Sequence, residues 1–250
     1  MQYHLDTIPL FEAMEQPGEC PLCSLHARAE AMDIESNLGE RVMEPSTRIN
    51  VNEHGICAHH HRLLFLQSNK LGHALLTDSH SKELLKKLEK LPIHSLRKSA
   101  DAKPRLFGKN ASGSIDKLAS ALEGFSRSCI ICDTLEIHMN RYLYTFFHLW
   151  KNDAKFEQLW SASKGACMPH TALLLRHAQK HLSSSKQYIF AASAMQLLQV
   201  SLAQDEKDLE WFTLKFDYRN ADKPWGNSKN ALERTIGRLR GAENPGSASK

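Results

Sequence analysis

All six cysteines of the chain fall into one pattern that occurs twice. Cys20-Pro-Leu-Cys23 is followed by Cys57-Ala-His-His60, and Cys129-Ile-Ile-Cys132 by Cys167-Met-Pro-His170. The gaps are 33 and 34 residues, the second set is offset by 109–110 positions, and no cysteine is left over. Gly55 and Gly165 each stand two residues before the third cysteine. Three thiolates and one imidazole are a closed tetrahedral set for zinc. The repeat therefore predicts two sites, Cys20, Cys23, Cys57 and His60 in one, Cys129, Cys132, Cys167 and His170 in the other. Register with His170 selects His60 from the run His59-His60-His61. A closed site activates no water, so a structural role leads. Metal-bound thiolates remain nucleophilic, which makes a redox or metal sensor the alternative. An iron–sulfur cluster is the other cofactor this ligand set admits.

The elements that must position these ligands read as helices. A tight turn suits Cys20-Pro21-Leu22-Cys23 after Gly18, whereas each Cys-x-x-His precedes an apolar run and belongs to a first helical turn. There the positive end of the helix dipole favours thiolate. Helical spacing recurs at Leu22, Leu25, Ala29 and Met32, and at Leu135, Met139, Tyr142, Phe146 and Leu149. Residues 82–91 place Leu84, Leu85, Leu88 and Leu91 together. Segment 186–204 reads as a buried helix, Asp205 as the N-cap of a helix over 206–218, and 228–239 as a last helix carrying Leu232, Ile236 and Leu239. Arg48-Ile-Asn-Val51 is the one strand-like alternation. The expected architecture is all-α: two pseudo-repeated helical zinc modules at 1–92 and 115–184, joined by a basic, turn-rich linker at 93–114. C-terminal helices at 185–240 and a disordered tail at 241–250 follow.

Composition is that of an ordinary globular protein, 42% hydrophobic and 24% charged over 250 residues. The net charge of +4 is too small to argue for nucleic acid, which the basic linker supports only weakly. No basic-then-apolar leader opens the chain and no apolar run is long enough to span a membrane. With paired cysteines, this predicts a reducing cytoplasm. No phosphate-binding glycine loop, nucleophile elbow or His-Glu-x-x-His is present. The one enzymatic alternative is a pocket near residues 136–150, where His138, Tyr142 and His148 lie in an aromatic-rich helix. Phe216, Tyr218 and Trp225 sit in a polar loop and either staple it or present a contact surface. Lys229, Arg234, Arg238 and Arg240 form a basic face that could meet an acidic partner. The leading functional expectation is a zinc-binding binding or adaptor protein with an unknown protein partner.

The chain also resembles a family of functionally uncharacterised prokaryotic proteins with a double Cys-x-x-Cys…Gly-x-Cys-x-x-His pattern. The matching stretches are Tyr3-His-Leu-Asp-Thr-Ile-Pro9, Gly18-Glu-Cys-Pro-Leu-Cys23, Val42-Met-Glu-Pro45, Ser163-Lys-Gly-Ala-Cys167, Phe216-Asp-Tyr-Arg219 and Pro224-Trp-Gly-Asn-Ser-Lys229. They cover roughly residues 3–239. The chain departs at Ala166, where the family favours Phe. The resemblance implies a domain of unknown function and supplies no activity.

Overall fold

The structure, a computed structural model, describes residues 3–16, 18, 20–93 and 111–241. Among these there is no strand. The helices are α1 (Tyr3–Glu15), α2 (Pro21–Leu38), α3 (Pro45–His54), α4 (Ala58–Leu66), α5 (Lys70–Glu89), α6 (Ala111–Ser126), α7 (Ile130–Asn152), α8 (Ala154–Ala162), α9 (Met168–His181), α10 (Ser184–Leu214) and α11 (Ala231–Arg240). The all-α reading is correct. The strand-like segment 48–51 is a correction: it lies inside α3. Pro45 starts that helix, where its missing N–H costs nothing, and Gly55 at φ +73° ends it. Four alternating residues are too few to outweigh both signals. Of the linker, 94–110 lies outside the described residues and 111–114 opens α6; of the tail, 242–250 lies outside them.

The chain forms two compact units, Met1–Ala29 with Ile137–Lys250, and Glu30–Glu136. They do not follow the consecutive modules expected at 1–92 and 115–184. The reason is local: the boundaries 29/30 and 136/137 fall inside α2 and α7, so each of these helices begins in one unit and ends in the other. Neither sequence repeat closes on itself.

In the first unit the aromatic stripe of α7 is core. Phe146 meets Phe147, Phe156 and Trp160 edge-on at 5.2–5.3 Å, and Phe190 of α10 caps the group. Asp6 of α1 takes two hydrogen bonds from Arg141, at 2.7 and 3.2 Å. The segment 186–204 is not buried all round. Phe190, Ala194 and Leu198 turn inward while Tyr188, Ile189 and Val200 are exposed. Nor is Asp205 an N-cap: α10 runs unbroken from Ser184 to Leu214, and Asp205 is a buried interior residue. Its carboxylate accepts from Arg234 and Arg238, and Arg234 also reaches Asp208. Hence Arg234 and Arg238 of the basic face are turned inward, against acids of their own unit, while Lys229 and Arg240 stay exposed. Leu232, Ile236 and Leu239 are left on the exposed side.

His177 and His181 of α9 stack at 5.9 Å. Burial, then the charge of Lys180 beside His177 and of Lys151 beside His181, holds both below the usual imidazole range. The folded unit binds these protons less readily than the unfolded chain. The stability they contribute is therefore present above the unfolded value, about 6.5, and is lost as pH falls below it. Exchanging both for Gln should flatten the fall in melting temperature between about pH 7 and 5.

In the second unit, Val42, Val51 and Leu76 form a small core with Ile56 and Ile130 against it. α3 packs along α5. The backbone N–H of Ile130 donates to the Gly55 carbonyl at 3.1 Å, and Ser128 Oγ donates to that of His54 at 2.7 Å. These bonds set the start of α7 beside the Cys57 segment.

Candidate metal centres

The four cysteine motifs share one local structure. Cys20, Cys57, Cys129 and Cys167 each stand immediately before a helix, and the second ligand of each pair, three residues on, lies in its first turn. In every case the residue four after the cysteine donates its N–H to the cysteine carbonyl, at 2.8–3.3 Å. Cys20-x-x-Cys23 is therefore a helix start, not a separate tight turn. Pro21, read as a turn former, sits at the first helical position, where it fits equally well. Cys57 and Cys167 have matching extended backbones, φ −75°, ψ 164° and φ −64°, ψ 163°. Each follows closely on a glycine at φ +73°. At Gly165 a Cβ would lie 2.9 Å from Leu197 Cβ. Gly165→Ala should cost on the order of 1–3 kcal/mol from the left-handed backbone alone, read as a lower unfolding midpoint, with more from the clash.

Two such helix starts meet at each centre, and the pairing crosses the repeats. Cys20, Cys23, Cys167 and His170 come together in the first unit, and Cys57, His60, Cys129 and Cys132 in the second. This corrects the grouping read from register, in which Cys20 and Cys23 joined Cys57 and His60. The cause lies in α2, which begins in the first unit and ends in the second, so the Cys57 pair that follows belongs to the second unit and Cys23 does not. The eight predicted residues are all present in the two clusters, in a different partition.

The spacing of donor atoms suits one ion per cluster. A tetrahedral zinc with Zn–S near 2.3 Å and Zn–N near 2.0 Å separates two sulfurs by about 3.8 Å, and sulfur from nitrogen by about 3.5 Å. Cys23 and Cys167 Sγ are 3.7 Å apart, Cys57 and Cys132 Sγ 3.9 Å. His170 Nδ1 stands 3.2–3.4 Å from its three sulfurs. His60 Nδ1 keeps the same 3.2–3.4 Å. No disulfide is formed among the six cysteines.

Charge points the same way. Burial opposes protonation of His60, but the Cys129 sulfur and Glu30 carboxylate outweigh it and raise the imidazole to about 10. His170 is likewise raised, to about 9, by Cys167 and Cys23. Burial and its neighbours Cys167 and Cys23 push the Cys20 thiol up, and burial with Cys129 pushes Cys132 up to about 12. Cys129 goes the other way despite burial, because His60 and backbone N–H groups favour its thiolate. The side chains alone support a thiolate beside an imidazolium; ionising three converging sulfurs calls for a dipositive centre.

The surroundings of the two histidines differ. The Nε2 of His60 lies 3.2 Å from the carboxylate of buried Glu30, which also holds His59 Nε2 at 2.8 Å. With Nδ1 facing the sulfurs, Nε2 is turned toward this carboxylate at ion-pair distance, though outside hydrogen-bond geometry, so Glu30 acts on His60 through its charge. Among the described residues His170 has no such carboxylate. Glu30→Ala should weaken metal binding at the second-unit centre about 10–100-fold and leave the other unchanged, as chelator competition would read. Sequence reasoning missed Glu30 because it stands 30 positions from His60, with no motif spacing to mark it. Of the three adjacent histidines, His60 is the one whose Nδ1 faces the sulfurs: His59 goes to Glu30, and His61 Nδ1 to His73 Nε2 at 2.8 Å.

Of the other candidates, Tyr142 is buried in the core of the first unit, among the aromatic side chains of residues 136–150. The described cleft of about 780 Å³ lies elsewhere, among Lys164, Gln204, Asp208, Asn227 and Arg234. The 215–229 loop is stapled to its unit, with two aromatic side chains left outside. Buried Lys215 donates to the carbonyls of Asn220, Ala221 and Lys223 at 2.6–2.8 Å, and Trp225 packs on Phe212. Phe216 and Tyr218 are exposed. No described helix is long and apolar enough to cross a membrane.

No curated protein and no solved structure matches the chain. A family model does, over residues 1–245, and its description is a family of unknown function, DUF6062. With nearly its whole length matched, the chain belongs to the DUF6062 family.

Proposed function

We propose that each cluster holds one zinc ion through three thiolates and a histidine Nδ1, and that the protein is a zinc-clamped helical binding protein. The observation that carries this reading is the meeting of four donors within 4.8 Å at two helix N-termini, twice. That volume suits one ion rather than a multi-iron cluster with its bridging sulfides. Three sulfurs and one nitrogen at tetrahedral spacing suit zinc. All four protein ligands engaged leave no open position, so the ions serve the fold. The binding role rests on the surface of the first unit, where Leu232, Ile236 and Leu239 form an exposed apolar stripe and Phe216 and Tyr218 project from a pinned loop.

Elemental analysis of the protein purified without added metal should give two zinc ions per chain, and removal by a strong chelator should abolish cooperative unfolding. A brown, iron-containing preparation would sink the zinc reading. The binding role is tested with Ile236→Ser/Leu239→Ser. A partner held by the wild type should be lost by this variant while zinc content and helicity stay unchanged; a partner held equally by both would refute the assigned surface.

A further inference from the structure

Resting on the zinc reading above, the two centres are chemically unequal, and the difference lies in access to sulfur. In the first-unit centre all three cysteines are buried, Cys20 at 5%, Cys23 at 8% and Cys167 at 1% exposure. In the second-unit centre only Cys129 is fully buried; Cys57 is half-buried and Cys132 is exposed. The sulfur separations are nearly the same, 3.7 Å for Cys23–Cys167 and 3.9 Å for Cys57–Cys132. Both centres thus hold a pair of thiols close enough to join. Only one pair can be reached from solvent.

We propose that Cys57 and Cys132 are a modification site for hydrogen peroxide, at which oxidation to a disulfide releases the zinc of that centre alone. The Sγ of Cys132, the exposed cysteine of the centre, attacks one peroxide oxygen. The O–O bond breaks, hydroxide leaves and is protonated to water, and Cys132 becomes a sulfenic acid. Cys57 Sγ then attacks the Cys132 sulfur, the S–S bond forms, the S–O bond breaks, and the second oxygen leaves as water. Two thiolates, one peroxide and two protons give one disulfide and two waters, and the two electrons come from sulfur. Cys129 and His60 then remain as donors, half the original set. Cys129 and His60 stay fixed at their helix starts, so reduction of the disulfide by a dithiol restores four ligands already in position.

The experiment uses the full wild-type chain, so no variant has to fold. Zinc content is measured first, hydrogen peroxide is added in increments, and released zinc and disulfide linkage are followed together by a chromogenic chelator and peptide mass mapping. One of two zinc equivalents should leave in step with a Cys57–Cys132 linkage, with Cys20, Cys23 and Cys167 unmodified, and dithiothreitol plus zinc should reverse both. Loss of both equivalents together, a first linkage between Cys23 and Cys167, or sulfinic acid without any linkage would each overturn the proposal. A chain that carries no zinc at the outset overturns the zinc reading instead. The order of linkage then still decides whether Cys57 and Cys132 are the oxidisable pair.

Discussion

A chain carrying Cys23→Ser and Cys167→Ser together should retain one equivalent of zinc, and one carrying Cys23→Ser and Cys57→Ser should retain none. The first pair removes two ligands from a single centre; the second removes one from each. Grouping by sequence repeat gives the opposite outcome, because it places Cys23 with Cys57 and Cys167 with His170. Elemental analysis after dialysis against a weak chelator separates the two. The effect on folding should be of matching size. A structural zinc contributes on the order of 10 kcal/mol of apparent binding free energy, comparable with the whole stability of a domain. The Cys23/Cys167 variant should therefore show loss of structure in the first unit with the second unit's zinc retained. The Cys23/Cys57 variant should lose cooperative unfolding altogether.

Asp205→Asn should destabilise the first unit by about 3–5 kcal/mol, the cost of removing one partner from a buried ion network. Asp205 and Arg238 are 2% and 1% exposed, so neither has water to replace a lost partner. Asparagine keeps the shape but leaves two guanidiniums facing a neutral amide. Asp208→Asn should cost less, because Asp208 has more solvent beside it than Asp205. A lower urea midpoint for Asp205→Asn than for Asp208→Asn is the expected order. Replacing Asp205, Arg234 and Arg238 together by apolar residues should recover much of the loss, since the cost lies in unpaired charge rather than missing attraction. Equal midpoints for both single variants would show that this network does not hold α11 in place.

Much of the helical content was legible, because apolar residues at three and four spacing mark a face. The stripe Leu135, Met139, Tyr142, Phe146, Leu149 is buried as its period predicts. Residues 186–204 were misread because small and apolar residues all round leave no face marked. Only the packing partners decide that Phe190, Ala194 and Leu198 turn inward. In α11 the reading failed for a related reason. Burial of Arg234 and Arg238 depends on Asp205 and Asp208, which lie 26 to 33 residues earlier in the chain, and local hydrophobicity carries no record of such a pairing.

By itself the sequence determined which eight residues gather into the two clusters that could hold a metal ion, because thiols and imidazoles at matched spacing are rare. It also determined that each Cys-x-x-His sits at a helix start and that His60, not its neighbours, faces the sulfurs. Only the tertiary structure decided which pair meets which. A duplicated pattern reads the same whether its pairs close within a repeat or across repeats, since both partitions preserve every spacing. The choice falls to which helix starts pack together inside each compact unit, and α2 and α7 each begin in one unit and end in the other.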